Sequence, residues 1–174
     1  MKIEEFIQSI EGDYLYLLYR KFNNIFPGCC HEASNILCGF IQLYYDASFV
    51  HKYVADVPYP HSYISNNNGI IIDFTSFQYL HYRVNNNVTK EELLNIAREC
   101  KCFPLSSELY IGNYISENYI NTHRQVEEIP CIFASDIKSI TDKYSKNDFI
   151  SYCEECAEYV GTLVSDYLQN NFLL

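Results

Sequence analysis

The sequence predicts an α+β domain in which one helix packs against an antiparallel sheet. Between residues 33 and 44, apolar residues at 33, 36, 37, 40, 41 and 44 have the spacing of a helix with one buried face. Residues 61–65 and 70–79 are predicted as two strands, and the turn between them contains an Asn-Gly pair. The length of 174 residues suits a single domain, 1–174, that would bury roughly 70% of its unfolded surface.

Composition narrows the class of protein. The chain is 48% hydrophobic with 17 Tyr and 11 Phe, which argues against disorder. The mean hydropathy of -0.16 and the lack of an apolar run near 18 residues predict no membrane span. A net charge of -10 without a basic stripe disfavours nucleic acid as a partner.

Eight cysteines could form four disulfides, but the start of the chain favours another interpretation. The segment MKIEEFIQSIEGDY has acidic residues at 4 and 5 and no apolar core, so it does not have the pattern of a secretory signal. We therefore expect reduced thiols and a cytoplasmic location.

The remaining elements follow from periodicity and from start and stop signals. A short helix is expected from Ile3 to Ile10, a break at Gly12 and Asp13, and a second helical face from Leu15 to Phe26. Later elements are a strand at 49–57, a helix with a capping box from 88 to about 98, a strand at 128–133 and a long helix at 149–168.

Cys29 and Cys30 lie at the predicted first turn of the central helix, directly after Gly28. Unpaired N–H groups and the positive end of the helix dipole favour a thiolate at this position. A nucleophilic cysteine also needs a base and a group that orients the base, and His61 and Asp73 supply both types on the two predicted strands. Taken singly, each of these residues could be purely structural. Their conjunction favours catalysis.

Two segments resemble a family. GCCHEAS at 28–34 is similar to the Gly-x-Cys-x-x-Ala-Ser segment of bacterial papain-like and transglutaminase-like cysteine enzymes, and HSYI with GIIIDFTSFQ resembles their His and Asp segments. The resemblance covers about 24–80 and implies Cys30 as nucleophile, His61 as base and Asp73 as orienter. Residue 31 is His where papain-type peptidases carry Trp, so the chain is nearer the compact transglutaminase-like arrangement.

Further site residues are candidates for support. Asn24, six residues before Cys30, matches by offset the amide residue of the papain oxyanion hole, while the backbone N–H of Cys30 is the other expected oxyanion donor. Thr75 and Gln78 could orient Asp73 or support the hairpin, or could be ordinary strand polarity. His31 should point about 100° away from Cys30 and line the cleft instead.

Zinc is the competing chemistry. Four late thiols, at Cys100, Cys102, Cys153 and Cys156, could form a zinc site. The one-residue gap of the first pair and the apolar helical stripe around the second favour core packing, so we predict neither metal nor cofactor.

The predicted function is that of a cysteine-dependent hydrolase or acyltransferase acting on an amide or peptide carbonyl through an acyl-enzyme. The substrate would be a peptide or protein amide; the oligomeric state is not predicted. The alternatives are a non-catalytic binding or immunity-type protein on the same fold and a small zinc-stabilised module.

The hairpin yields a geometric prediction. His61 and Asp73 share a face of the sheet only if paired residue numbers have an even sum, which requires a loop with an odd number of residues or a bulge. We expect Gly69 in the left-handed region. A three-residue loop, 67–69, would leave His61 diagonal to Asp73, and we favour a five-residue loop, 65–69, because it sets His61 directly opposite Asp73.

Overall fold

The computed structural model describes residues 1–56, 60–76, 87–132 and 144–172. The strands are β1 Val50–Val54, β2 His61–Ser65, β3 Ile71–Ile72, β4 Leu105–Ser106, β5 Glu108–Tyr110, β6 Tyr114–Ser116 and β7 Val126–Ile129. Five of these strands form an antiparallel sheet in the order β4-β3-β2-β1-β7, and β5 and β6 form a separate hairpin. The predicted α+β class, with helices on an antiparallel sheet, is confirmed. The helices are α1 Ile3–Lys21, α2 Cys30–Tyr44, α3 Lys90–Glu99, α4 Glu117–His123 and α5 Phe149–Asn171, with a 3₁₀ turn at Lys146–Asp148 before α5.

The first helix differs from the sequence prediction. α1 runs unbroken through Gly12 and Asp13, where a break was expected, and it ends at Lys21 rather than Phe26. A glycine inside a helix costs only about 1 kcal/mol, which tertiary contacts can offset. Here α3 packs on this part of α1: the Lys90 side chain lies 3.7 Å from the position of a Cβ on Gly12, and Lys90 Nζ bonds Asp13 Oδ1 at 2.9 Å.

The central helix α2 lies on one face of the sheet and runs antiparallel to β1. Asn35 Nδ2 donates to His51 Nδ1 at 3.0 Å, and one turn and two turns further along α2, Cys38 and Gln42 both donate to the carbonyl of Phe49. Advancing along the helix therefore means moving back along the strand. The first turn of α2 consequently lies beside the end of β1, near Tyr53.

The opposite face of the sheet is covered by the β5–β6 hairpin and α4. Val54, Tyr63 and Ile71 from the sheet pack there against Leu109 and Ile120. The main core lies on the α2 side, where α1, α2 and α5 bury a cluster rich in Phe, Tyr and Ile. The two faces of β1 and β2 thus have different environments, one against α2 and one against the β5–β6 hairpin.

The β2–β3 turn confirms the parity prediction in part. Ser65 pairs with Ile71 and Ile64 with Ile72, so the sum is even, and Gly69 has φ +78°. The preferred five-residue loop is wrong, because the ladder continues to Asn66, whose N–H donates to Ile70 O at 3.2 Å. The Asn66 side chain stabilises the shorter loop by accepting from the N–H groups of Asn68 and Ile70 at 3.0 and 3.1 Å.

Other predicted elements occur with different ends. The Thr89 capping box starts α3 as expected, with Thr89 Oγ1 accepting from Glu92 N at 3.2 Å. β1, Val50–Val54, is shorter than the predicted strand at 49–57. β7, Val126–Ile129, begins earlier than the predicted strand at 128–133 and ends before Pro130, which cannot donate a ladder hydrogen bond. β3 is shorter than 70–79, and beyond it Asp73 N donates to Pro104 O at 2.8 Å, next to the β3–β4 pairing. The parts of these predictions at 57, 77–79 and 133 lie outside the described residues.

Candidate active site at the start of α2

Cys30 is the first residue of α2 and follows a tight turn. Gly28 N donates to Ile25 O at 2.5 Å, and a Cβ built on Gly28 would lie only 2.7 Å from that same oxygen. Any other residue at 28 would therefore displace the backbone that leads into the helix. As the first helical residue, Cys30 has a backbone N–H without an intrahelical acceptor.

The two adjacent cysteines lie in different surroundings although both are buried. Cys29 belongs to the apolar core, and burial raises the pKa of its thiol, with the Glu32 carboxylate adding to the rise. Burial also acts to raise the pKa of Cys30. There, however, the charges of His31 and His61 and their hydrogen bonds to the sulfur outweigh burial and lower the pKa to about 5. The thiolate is therefore favoured at residue 30 and disfavoured at residue 29.

His61 and Asp73 form a buried pair at one end of the sheet. His61 Nε2 donates to Asp73 Oδ2 at 2.6 Å, and the two side chains are 0% and 6% exposed. Burial alone would lower the pKa of His61, but the carboxylate and the Cys30 thiolate together raise it to about 10. Because Nε2 is held by Asp73, the other ring nitrogen, Nδ1, is available for the hydrogen bond with Cys30.

His61 and Asp73 form this hydrogen bond although they are not directly opposite each other on the two strands. With the observed loop, His61 lies diagonal to Asp73 rather than opposite to it. Asp73 directly follows β3, and Pro104 O holds its backbone N–H at 2.8 Å. Its other oxygen, Oδ1, accepts from Thr75 N at 2.9 Å and from Thr75 Oγ1 at 3.2 Å. Thr75 thus fixes the carboxylate, one of the two functions considered for this residue.

His31 also lies close enough to the thiol for their charges to interact, contrary to the expectation from helix geometry. Its Nδ1 lies 2.6 Å from Ser62 Oγ on β2. Burial lowers the pKa of His31, but the thiolate of Cys30 and the Glu32 carboxylate outweigh this effect and raise it. Side chains at a first helical turn can reach past the helix end, so the 100° step between neighbours did not separate these two residues.

The other predicted support residues are not brought to the thiol. Asn24 is exposed in the turn between α1 and α2, and among the described residues it makes no hydrogen bond to Cys30. Gln78 lies outside the described residues. The cavity beside Asp73, of about 120 Å³, is walled by Ile71, Ser76 and Tyr110 among others, and neither Cys30 nor His61 lines it.

The two late cysteine pairs lie in different parts of the core. Cys153 and Cys156 are in the main core, whereas Cys102, with Cys100 packed against it, is in the cluster between α1 and α3. All eight cysteines fall within the described ranges, and each is a free thiol. In the same ranges no group of three His, Cys, Asp or Glu side chains is arranged to hold a metal ion.

Comparison with models of protein families, with curated proteins and with solved structures found no match. Among the helices in the described part of the chain, none is both long enough and apolar enough to cross a bilayer.

Proposed function

We propose that this chain is a papain-like or transglutaminase-like cysteine enzyme that acts on an amide or peptide carbonyl. Cys30 is the nucleophile, His61 the base and Asp73 the residue that orients it. The observation that carries the proposal is the pairing of His61 with Asp73 beside a thiol at a helix N-terminus. An imidazole held in one tautomer by a carboxylate, with its other nitrogen at a sulfur, is the arrangement that thiol catalysis requires.

The reaction proceeds in two steps. The Cys30 thiolate attacks the carbonyl carbon, and the electron pair of the C=O bond moves to oxygen. When the tetrahedral intermediate collapses, the imidazolium of His61 gives its proton to the departing nitrogen, and a thioester remains on Cys30. Neutral His61 then takes a proton from water or an amine, which attacks the thioester and releases either an acid or a new amide.

One observation favours the alternative of a non-catalytic binding protein on the same fold. The side chains of Cys30 and His61 are 2% and 0% exposed, so a substrate reaches the sulfur only after local opening. Buried charge pairs also occur for structural reasons. Reactivity of the thiol separates the two functions, because only an enzyme requires a sulfur that is both ionised and accessible.

The test is limiting iodoacetamide at about pH 6, followed by peptide mapping. The pKa of the thiol is raised chiefly by burial at Cys29, Cys100, Cys102, Cys153 and Cys156, and at Cys38 first by its hydrogen bond with Cys131. Cys30 should therefore be alkylated first, since the thiolate is the reactive form. Equal labelling of several cysteines, or preference for Cys29, would favour the binding protein.

A further inference from the structure

Tyr53 on β1 carries a buried hydroxyl without a hydrogen bond. The residue is 1% exposed, and among the described residues its Oη has no hydrogen-bond partner. An unpaired buried polar group lowers stability, so native proteins retain few of them. The hydroxyl of Tyr63 is unpaired as well, so the neighbours of each tyrosine decide whether its hydroxyl has a function.

The position of Tyr53 follows from how α2 lies on the sheet. Because α2 runs antiparallel to β1, Tyr53 falls beside the first turn of the helix, and the rings of His31 and Tyr53 are 5.4 Å apart. Tyr53 also pairs across the sheet with Ser62, whose Oγ holds His31 and which directly follows His61. The tyrosine therefore shares its neighbours with the Cys30 thiol.

The hydroxyl is held as a hydrogen-bond donor. Burial raises the pKa of Tyr53, and the negative charge of the Cys30 thiolate raises it further, so the phenol stays protonated at neutral pH. The ring of Phe172, 5.7 Å away, packs against Tyr53 where α5 ends. The donor is thus both protonated and fixed before any substrate arrives.

We propose that the Tyr53 hydroxyl is an oxyanion donor: it hydrogen-bonds the carbonyl oxygen that becomes negatively charged when Cys30 attacks, together with the backbone N–H of Cys30. This role rests on the proposed function of Cys30. Tyr53 forms and breaks no covalent bond and keeps its proton throughout. Its hydrogen bond strengthens as negative charge develops on the carbonyl oxygen and weakens when the C=O bond reforms, which is how a preorganised donor lowers the barrier.

A second unpaired donor lies further from the sulfur. Asn35 donates to His51 Nδ1, so His51 carries its proton on Nε2, and this N–H also lacks a partner among the described residues. Asn35 is five residues along α2 from Cys30, which places His51 beyond the first turn. Tyr53 is therefore the donor that the helix register brings to the site.

The test compares two reactions of Cys30 in wild type and Tyr53→Phe. Acetylation by p-nitrophenyl acetate passes through a tetrahedral oxyanion, whereas alkylation by iodoacetamide is a displacement at carbon without one. Both rates are followed at Cys30 by mass spectrometry. Tyr53→Phe should slow acetylation about 10- to 100-fold and leave alkylation within about twofold. Its melting temperature should stay the same or rise, because the deleted hydroxyl makes no hydrogen bond.

Tyr63→Phe is the matched control. Tyr63 lies on the neighbouring strand, is fully buried and also has an unpaired hydroxyl, but it faces the β5–β6 side of the sheet. It should acetylate at the wild-type rate. If Tyr53→Phe behaves like Tyr63→Phe, or loses both reactions equally, the oxyanion role is wrong while the nucleophile stands. If Cys30 of the wild type is not acetylated at all, the proposed function fails as well.

Discussion

Cys30 at the start of α2 and the pair Cys153 and Cys156 on α5 are all buried in the same molecule, yet their thiols differ in character. Burial raises the pKa of Cys153, and it raises that of Cys156 to about 12. The pKa of Cys30 falls to about 5. The difference lies in the neighbours: two imidazoles surround Cys30, whereas Cys153 and Cys156 lie among core side chains and near the carboxylates of Glu154 and Glu155. Burial amplifies whichever charge stands next to a thiol.

His61→Gln should reduce the pKa difference between these thiols more than any other substitution considered below. Glutamine can still donate to Asp73 but carries no charge, so Cys30 loses half of its imidazole environment and its pKa should rise. At pH 6 alkylation of Cys30 should slow roughly 10- to 100-fold, the loss of thiolate being partly offset by the greater nucleophilicity of a more basic sulfur. Rates from pH 4 to 10 give the midpoint directly. His123→Gln, at an exposed histidine of α4, is the control, and an unchanged midpoint in His61→Gln would remove His61 from the site.

Asp73→Asn should have a smaller effect through the tautomer of His61. Both donors of Thr75 hold Oδ1, so the asparagine oxygen takes that place and its NH₂ group faces His61 Nε2. Nε2 must then accept, which puts the ring proton on Nδ1 and leaves no base toward Cys30. Alkylation at pH 6 should fall about tenfold. Asp13→Asn, at an exposed carboxylate paired with Lys90, should change nothing; equal rates in both variants would contradict the assignment of Asp73.

The opposite pKa shifts of Cys30 and His61 also predict how the stability of the protein depends on pH. Cys30 has its pKa lowered from 9.0 to about 5, so its contribution is complete above 9.0 and is lost as pH falls through 5. His61 has its pKa raised from 6.5 to about 10, so its contribution is complete below 6.5 and is lost as pH rises through 10. Between 6.5 and 9.0 the two slopes cancel.

The measurement is the free energy of unfolding of the reduced wild type minus that of a Cys30→Ser, His61→Gln double variant. The difference should be level between pH 6.5 and 9.0 and fall by roughly 1–2 kcal/mol on either side. A difference that changes steadily with pH across the middle range would mean that only one of the two groups is shifted.

The smallest effect on the reactivity of Cys30 is expected from a substitution at Cys153 in the core. Cys153→Ala removes a buried sulfur from the core and should cost about 1–2 kcal/mol of stability through lost packing. The alkylation rate of Cys30 should stay within about twofold. A large loss of Cys30 reactivity in this variant would show that the two regions are coupled.

Sequence reasoning reached the residues whose placement depends on periodicity. The apolar stripe of α2, the Thr89 capping box and the parity of the β2–β3 turn each follow from one element or one pair of elements. The loop length did not follow, because it depends on two hydrogen bonds of a single Asn66 side chain. Gly12 failed as a breaker because α3, distant in sequence, packs across it.

The sequence did not predict that His31 and Tyr53 lie beside Cys30, for a related reason. The ring of His31 bonds Ser62 on another element, and no pattern in the sequence links residues 31 and 62. Tyr53 is one of 17 tyrosines, and only the register of α2 on β1 distinguishes it. A tertiary contact can be predicted from one sequence only when a local motif encodes that contact.

Gly28 has a consequence for genetics. It contributes no atom to the chemistry, but any side chain there would approach the carbonyl of Ile25 to 2.7 Å and shift the backbone that sets the start of α2. In a random-mutagenesis screen for loss of Cys30 reactivity, codon 28 should therefore appear among the inactivating positions, including its change to alanine. Codons 12 and 161 should tolerate alanine better, because an added Cβ on either helical glycine would meet side-chain atoms no closer than 3.7 Å.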